Sequence, residues 1–362
     1  MNRLGILLSG SAAFLACVVS VPLVGALATR LRLYDPVGPL KIHTKPLPRV
    51  GGVAILTGLL SGFGVAYLIS GVKAEIGFCV ALAALFLVGL IDDLRGISPW
   101  IRLIAQTVSA AFFLWWPSGS FASLGMPVLS FVSECLFIVV LVNAFNFLDG
   151  ADGIVAGVVP IIALGFILVA RNNSDALVAV LLLGSCLGFL IFNFPPAKIF
   201  MGDNGSTTLG FVIAFLSLSF YRSLPITDSG QLIPLLFAAV PLLDMSFAVV
   251  RRLRSGMPIT EGDRRHCYDL LLRRGWPART VAICCYAAAA VTVFLGWSCQ
   301  GRGWTCTFLA AGLVFGISVA LAVGLGSLRG ETSPLNAAFS GFSGCTAPHW
   351  PSTGAASHGS NR

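Results

Sequence analysis

Long apolar runs recur along this chain, and they constrain its fold more than any other feature. About eleven of them, at roughly 18–22 residues each, are long enough to cross the hydrocarbon core of a bilayer as helices. Hydrophobic residues make up 56% of the 362 residues and charged residues only 10%, and the mean hydropathy is +0.89. A composition this hydrophobic and this poor in charge indicates an integral membrane protein and not a soluble enzyme. We predict an all-α, polytopic integral membrane protein with spans near 4–28, 50–69, 74–91, 101–116, 131–148, 154–170, 176–192, 208–221, 231–250, 280–298 and 305–327.

The basic residues predict the orientation of these spans. Most of the 23 Lys and Arg residues lie in the C-terminal tail and in the loops after odd-numbered spans; the exceptions are Arg3, Lys73, Arg171, Arg222 and Arg302. The positive-inside rule then places the N-terminus outside and the C-terminus in the cytoplasm. The net charge of +8 suits a polyanionic lipid surface, so no nucleic-acid partner is expected. We expect residues 1–329 to form one membrane domain and residues 330–362 to form a disordered tail.

Three short acidic clusters stand at the ends of apolar runs in a chain with only 15 Asp and Glu residues. They are Asp92-Asp93, Asp149 with Asp152, and Asp203. Carboxylates beside hydrocarbon are costly unless they are paired or bind a cation. Any one cluster could be a solvated helix end, but the predicted topology places all three on the cytoplasmic face. The sequence therefore favours a single metal-dependent active site.

The surroundings of the clusters suggest a division of labour. The turn Gly202-Asp203-Asn-Gly-Ser206 precedes a helix and suits close approach of an anion. Its carboxylate is a hard oxygen ligand of the kind that Mg²⁺ prefers. Because Asp92 and Asp93 are adjacent, they cannot easily share one ion. We expect one of them to face a metal or a phosphate and the other to contact a basic residue.

A polar stripe precedes the second cluster. Asn143, Asn146 and Asp149 are spaced by three and lie along one helix face. Such a stripe at a helix end can contact a polar ligand. The alternative for the two asparagines is that they only join helices within the bilayer.

Together these motifs resemble those of a known family. The chain carries Asp92-Asp93-x-x-Gly96, then Asn143-x-x-Asn146-x-x-Asp149-Gly-x-Asp152-Gly153, then Phe200-Met-Gly-Asp203-x-Gly-Ser206. It also carries His43-x-x-Pro-x-Pro-x-x-Gly51-Gly52 in the first predicted cytoplasmic loop, Asp244 before Arg251-Arg252, and Asp263-Arg-Arg-His266 in the last one. This order resembles the polyprenyl-phosphate N-acetylhexosamine-1-phosphate transferases, which initiate O-antigen and related glycans and include the muramoyl-pentapeptide translocase. The resemblance covers roughly residues 1–327 and agrees with about eleven spans.

The resemblance implies a reaction and a location. The enzyme would transfer an N-acetyl-amino-sugar-1-phosphate from a UDP-sugar to undecaprenyl phosphate and release UMP, starting lipopolysaccharide or cell-wall glycan synthesis. It would use Mg²⁺, with Mn²⁺ as the alternative ion, at the cytoplasmic face of a bacterial inner membrane. A homodimer is left open. The implied catalytic residues are Asp92, Asp93 and His266; the substrate-binding residues are Lys45, Arg49, Arg102, Asn143, Asn146, Asp149, Asp152 and Phe200, with Phe200 stacking on uracil; the metal ligands are Asp203 and Asp149.

One motif departs from the family pattern. The usual H-x-H-H here reads His266-Cys267-Tyr268-Asp269, so only the first histidine is present. This form resembles the branch that acts on UDP-linked deoxy-amino sugars such as N-acetylfucosamine or N-acetylquinovosamine. For His266, the alternative is an ordinary surface histidine. For the whole chain, it is a cation-coupled transporter, which would place acids near mid-span; Asp244 comes nearest to that.

Overall fold

A computed structural model of the protein describes residues 1–35, 47–116, 127–225 and 227–328. Within these ranges the chain is almost entirely helical. The candidate residue Lys45, the first half of the motif that begins at His43, and the predicted tail lie outside the described residues. The elements are α1 Arg3–Arg30, β1 Tyr34–Asp35, β2 Leu47–Pro48, α2 Gly51–Ser70, α3 Ile76–Arg95, α4 Pro99–Trp115, α5 Val128–Leu148, α6 Ile154–Val169, α7 Asn173–Asn193, α8 Asp203–Arg222, a 3₁₀ turn Ser229–Leu232, α9 Ile233–Phe237, α10 Ala239–Arg254, α11 Cys267–Arg273, α12 Ala278–Ser298 and α13 Gly303–Leu325.

Seven of the described helices are long and apolar enough to cross a membrane, namely α1, α2, α3, α5, α7, α12 and α13. The number is eight if α10 and the segment before it are one bent span. This confirms an all-α, multi-pass membrane protein, whereas the eleven spans and the orientation stay predictions. Three predicted spans correspond to less typical helices: α4 has 17 residues, α6 has 16, and α8 begins with six small or polar residues.

The span predicted at 231–250 is not one continuous helix. Its two parts, Ser229–Phe237 and Ala239–Arg254, are bent by 72° at Ala238. Pro241 lies in the first turn of α10 and has no N–H for the carbonyl of Phe237, so the helical hydrogen bonds cannot run through this point. The bend lets α10 pack against α5 and α12.

Close helix packing fixes the beginning of α8. This helix packs against both α3 and α5, while α1 packs along α2 and α7. A Cβ added to Gly89 of α3 would lie 2.6 Å from Cα of Asn204, and one added to Gly52 of α2 would lie 2.4 Å from the backbone N of Gly205. Only glycine permits these approaches, so the turn that carries Asp203 is wedged between α2 and α3.

A short antiparallel ribbon leads the chain into α2. Tyr34 pairs with Pro48, and the next residue, Arg49, bridges to Phe200. The Phe200 N–H donates to Pro48 O, and its carbonyl accepts from Gly51 N, both at 2.9 Å. These bonds bring Arg49 beside the segment that precedes Asp203.

Candidate active site

The turn before α8 is held by a carboxylate from α3. Gly202 has a φ of 78°, which favours glycine, and α8 begins at the next residue. Asp93 Oδ1 accepts the Asp203 N–H at 2.9 Å, and Asp93 Oδ2 accepts the backbone and side-chain N–H groups of Asn204 at 2.9 and 2.8 Å. The first N–H groups of a helix have no partner within it. Asp93, whose side chain is 1% exposed, supplies that partner.

Two arginines bridge the acids of different clusters. Arg49 contacts Asp93 through Nε at 3.1 Å and Asp203 through Nη2 at 3.0 Å. Arg102 contacts Asp92 at 3.0 Å and Asp203 at 3.4 Å through Nη1. Asp203 therefore lies between both guanidinium groups. The side chains of Arg49 and Arg102 are 39% and 21% exposed, so both reach the surface of the site.

These contacts separate the roles of the adjacent aspartates. A carboxylate offers about four acceptor positions, and Asp93 fills them with three N–H groups and Arg49 Nε. These contacts show that Asp93 holds the Asp203 turn; its direct catalytic role stays a prediction. Asp92 accepts hydrogen bonds from the Ile97 N–H at 2.8 Å and from Arg102 Nη1 at 3.0 Å.

The two asparagines of the polar stripe also separate. Asn146 Nδ2 donates to Asp203 Oδ1 at 2.8 Å and to Ser206 Oγ at 3.0 Å, so it belongs to the acidic site. Asn143 Nδ2 instead donates to Gln106 Oε1 of α4 at 2.6 Å. Gln106 is 1% exposed. The hydrogen bond joins α4 to α5, as the alternative for the asparagines expects. The contact of Asn143 with the nucleotide stays a prediction.

Asp149 and Asp152 occupy the turn between α5 and α6. Burial raises the pKa of Asp149 well above its usual range; Arg49 opposes this shift, and the negative charges of Asp203 and Asp93 add to it. Asp149 thus interacts electrostatically with the other acids of the site. Among the described residues, no group donates a hydrogen bond to its carboxylate. Asp152 Oδ2 accepts the Ala197 N–H at 2.9 Å and so braces a neighbouring loop. The contact of Asp152 with the nucleotide stays a prediction.

Phe200 lies at the edge of this site. Its backbone is fixed to the ribbon residues beside Arg49, and its side chain is half-buried. It is therefore near the arginine that bridges Asp93 and Asp203. The predicted stacking of Phe200 on uracil stays a prediction.

His266 lies in a buried polar cluster after the bent helix. Its Nδ1 is 2.7 Å from Asp244 Oδ2, and both residues are buried. Burial lowers the pKa of His266, but the carboxylates of Asp244, Asp269 and Asp263 together outweigh burial and leave this pKa above its ordinary value. The alternative of a surface histidine is excluded because the residue is 7% exposed. Asp244 is thus paired with His266. It is not an isolated mid-span acid of the kind that a cation-coupled transporter would carry.

A cleft of about 320 Å³ separates the end of α5 from the segment that follows α10. Its walls combine aromatic rings with basic side chains, a composition that suits an anionic ligand with a planar or ring-shaped part. The lining residues are Phe147, Gly150, Arg252, Thr260, Gly262, Asp263, Arg264, His266 and Tyr268. The cleft directly adjoins the turn that carries Asp149.

The donor set fits Mg²⁺ only when a substrate completes it. Among the described residues, no three His, Cys, Asp or Glu side chains are arranged to hold a metal ion. Mg²⁺ commonly takes one or two carboxylates together with phosphate oxygens and waters. Asp203 and Asp149 can supply two carboxylates, and the negative charges of Asp203, Asp93 and Asp152 all act on Asp149.

Several contacts of the site could not be predicted from the sequence. The pairing of Asn143 with Gln106 and that of His266 with Asp244 join different elements. In the sequence, Tyr268 stands out only as a departure from a motif. The one available clue to Phe147 was its place between Asn146 and Asp149.

Comparisons with known proteins point to one family. The model of glycosyl transferase family 4 matches residues 76–221. The chain is 32% identical over 288 residues to a probable undecaprenyl-phosphate N-acetylglucosaminyl 1-phosphate transferase of Bacillus subtilis, covering 75% of this chain and 78% of that protein. It is 31% identical over 330 residues to a decaprenyl-phosphate N-acetylglucosaminephosphotransferase of Mycobacterium leprae, covering 79% and 82%. It is also 32% identical over 318 residues to a phospho-N-acetylmuramoyl-pentapeptide-transferase of Mycobacterium tuberculosis, covering 72% and 86%.

Proposed function

Because the chain belongs to glycosyl transferase family 4, we propose that it transfers an N-acetyl-amino-sugar-1-phosphate from a UDP-sugar to a polyprenyl phosphate and releases UMP. The observation that carries this proposal is the convergence of Asp92, Asp149 and Asp203 with Arg49 and Arg102 beside a basic, aromatic cleft. Undecaprenyl phosphate is the proposed acceptor, and a bacterial inner membrane with the site facing the cytoplasm is the proposed location.

The acceptor needs little activation. A phosphate monoester has a second pKa of about 6, so the lipid phosphate is mostly a dianion at cytoplasmic pH. One of its oxygens attacks the phosphorus that bears the sugar, and the bond from that phosphorus to the UMP oxygen breaks. The sugar's anomeric bond stays intact. A general base is not required, so the proposed role of Asp92 is to orient Arg102 rather than to remove a proton.

The barrier to this reaction is repulsion between two anions. Arg49 and Arg102 are partly exposed and can contact phosphate oxygens from their places beside the acids. Mg²⁺ would be held by Asp203 and Asp149, with Mn²⁺ as a substitute, and when bound it supplies charge neutralisation at the pyrophosphate. Asn146 fixes the orientation of the Asp203 carboxylate.

The cleft beside this centre is the proposed place of the UDP-sugar. His266, whose protonated form is favoured by Asp244, lines it together with Arg252 and Arg264. These groups suit the diphosphate of the donor. The preference for a deoxy-amino sugar, drawn from the motif at Tyr268, stays a prediction; the relatives compared above carry names with N-acetylglucosamine or N-acetylmuramoyl-pentapeptide.

A labelled-lipid assay tests this function. Membranes that contain the protein are incubated with undecaprenyl phosphate, Mg²⁺ and a panel of UDP-N-acetyl-amino sugars labelled in the sugar, and the lipid fraction is counted. Label should enter the lipid with at least one sugar and should fail to do so with the Asp203→Asn variant. Lipid that stays unlabelled with every sugar would contradict the proposal.

A further inference from the structure

Tyr268 connects the histidine of the cleft to the acidic turn. Its ring lies parallel to the His266 imidazole, with centroids 5.2 Å apart and an interplanar angle of 9°. Its hydroxyl donates to the carbonyl of Phe147 at 3.2 Å. One side chain thus contacts both His266 and the last turn of α5, two residues before Asp149.

The fit of Tyr268 against the turn is close. A Cβ added to Gly150 would lie 2.1 Å from the Tyr268 hydroxyl, so only glycine leaves room for this ring. Tyr268 is 3% exposed, and burial raises its pKa well above the usual value. The hydroxyl therefore stays protonated and remains a donor. Arg264 reinforces the junction by donating to the Gly150 carbonyl at 2.9 Å.

His266 is enclosed on several sides by groups with separate tasks. Asp244 fixes Nδ1 at 2.7 Å. The Phe147 ring meets the imidazole edge-on, with centroids 6.2 Å apart, and Arg252 lies 4.8 Å above the same Phe147 ring. Tyr268 adds a face-to-face contact with the imidazole and a side-chain hydrogen bond to the backbone that leads to Asp149.

We propose that Tyr268 is a positioning residue of the transfer reaction, which acts by holding His266 at a fixed place relative to the Asp149–Gly150 turn. This inference rests on the proposed function, in which His266 and Asp149 act on the same substrate. Small displacements of groups that contact a reacting phosphate reduce turnover strongly. The effect of Tyr268 should therefore pass through His266.

A double-mutant cycle tests this dependence. Tyr268→Phe keeps the stacked ring and removes the hydrogen bond from the hydroxyl to the Phe147 carbonyl. We expect it to lower kcat about tenfold in the wild-type background and by less than about twofold in a His266→Ala background. Turnover is measured as exchange of labelled UMP into UDP-sugar, which detects slow variants. If exchange by His266→Ala is below detection, the same cycle is measured on the affinity for UDP, where Tyr268→Phe should weaken binding only when His266 is present.

Tyr286 offers a matched control. Its hydroxyl also donates to a backbone carbonyl, that of Gly153 at 2.7 Å, and no ring contact with His266 is formed within the described residues. Tyr286→Phe should change kcat by the same factor in the wild-type and His266→Ala backgrounds, whatever the size of that factor. A Tyr268→Phe variant with unchanged kcat, or with equal losses in both backgrounds, would overturn the inference. Absence of exchange in the wild-type protein would instead count against the proposed function.

Discussion

The carboxylate of Asp93 accepts the backbone N–H of Asp203 at 2.9 Å, so an acid at the end of α3 holds in place the acid that begins α8. The same carboxylate receives two further N–H groups from Asn204. One cluster of the sequence therefore serves as the structural support of another. Mutation of Asp93 should therefore lower stability, whereas mutation of Asp203 should lower turnover.

Asp93→Asn should destabilise the protein. The amide presents its own N–H groups to donors that need an acceptor, and loss of such a helix cap costs about 1–2 kcal/mol. The thermal unfolding midpoint in detergent should fall, and it should fall further than for Asp92→Asn, because Asp92 accepts fewer hydrogen bonds and is less buried. Equal midpoints for the two variants would show that Asp93 is not the support of the turn.

Asp203→Asn should abolish turnover while the protein stays folded. The substitution preserves shape but removes the charge proposed to hold Mg²⁺. Arg49 and Arg102 keep their partners Asp93 and Asp92, so few buried charges are left unpaired. Activity and unfolding midpoint are measured on the same preparation. Normal Mg²⁺-dependent activity in this variant would remove Asp203 from the metal site.

Arg102→Gln should weaken the binding of the lipid phosphate acceptor. Arg102 lies between Asp92 and Asp203 and is proposed to contact the acceptor. The KM for undecaprenyl phosphate should rise about tenfold, in line with the loss of one charge-assisted hydrogen bond. Arg95→Gln is the matched control, since Arg95 also lies near the end of α3 but is exposed. A KM that rises equally in both variants would indicate a general effect of charge at this surface.

Asp244→Asn should change the pH dependence. Asp244 holds the pKa of His266 above its ordinary value of 6.5, so the protonated imidazole is present at low pH and is lost as the pH rises through the raised pKa. The stability that this ion pair contributes is likewise complete below the ordinary pKa and declines above it. In the variant, kcat should begin to fall at a lower pH than in the wild type. Superimposable pH profiles would show that the charge of His266 is not used.

The sequence predicts the membrane class, the three acidic clusters and their family, because apolar length and motif order are local properties. It does not predict which acid supports which. Asn143 and Asn146 have the same residue type and lie on one helix face, yet one meets Gln106 of α4 and the other meets Asp203 of α8. That choice depends on which helix packs against each turn. The bend at Ala238 also depends on tertiary packing, although Pro241 is visible in the chain.

The most direct test of the central claim is the identity of the released nucleotide. The reaction breaks one phosphoanhydride and makes another, so it should be readily reversible. Purified protein with Mg²⁺, undecaprenyl phosphate and an accepted UDP-sugar should release UMP and should move label from free UMP into UDP-sugar, and EDTA should stop both. Release of UDP would mean that a sugar is transferred without its phosphate, and this would contradict the proposed reaction.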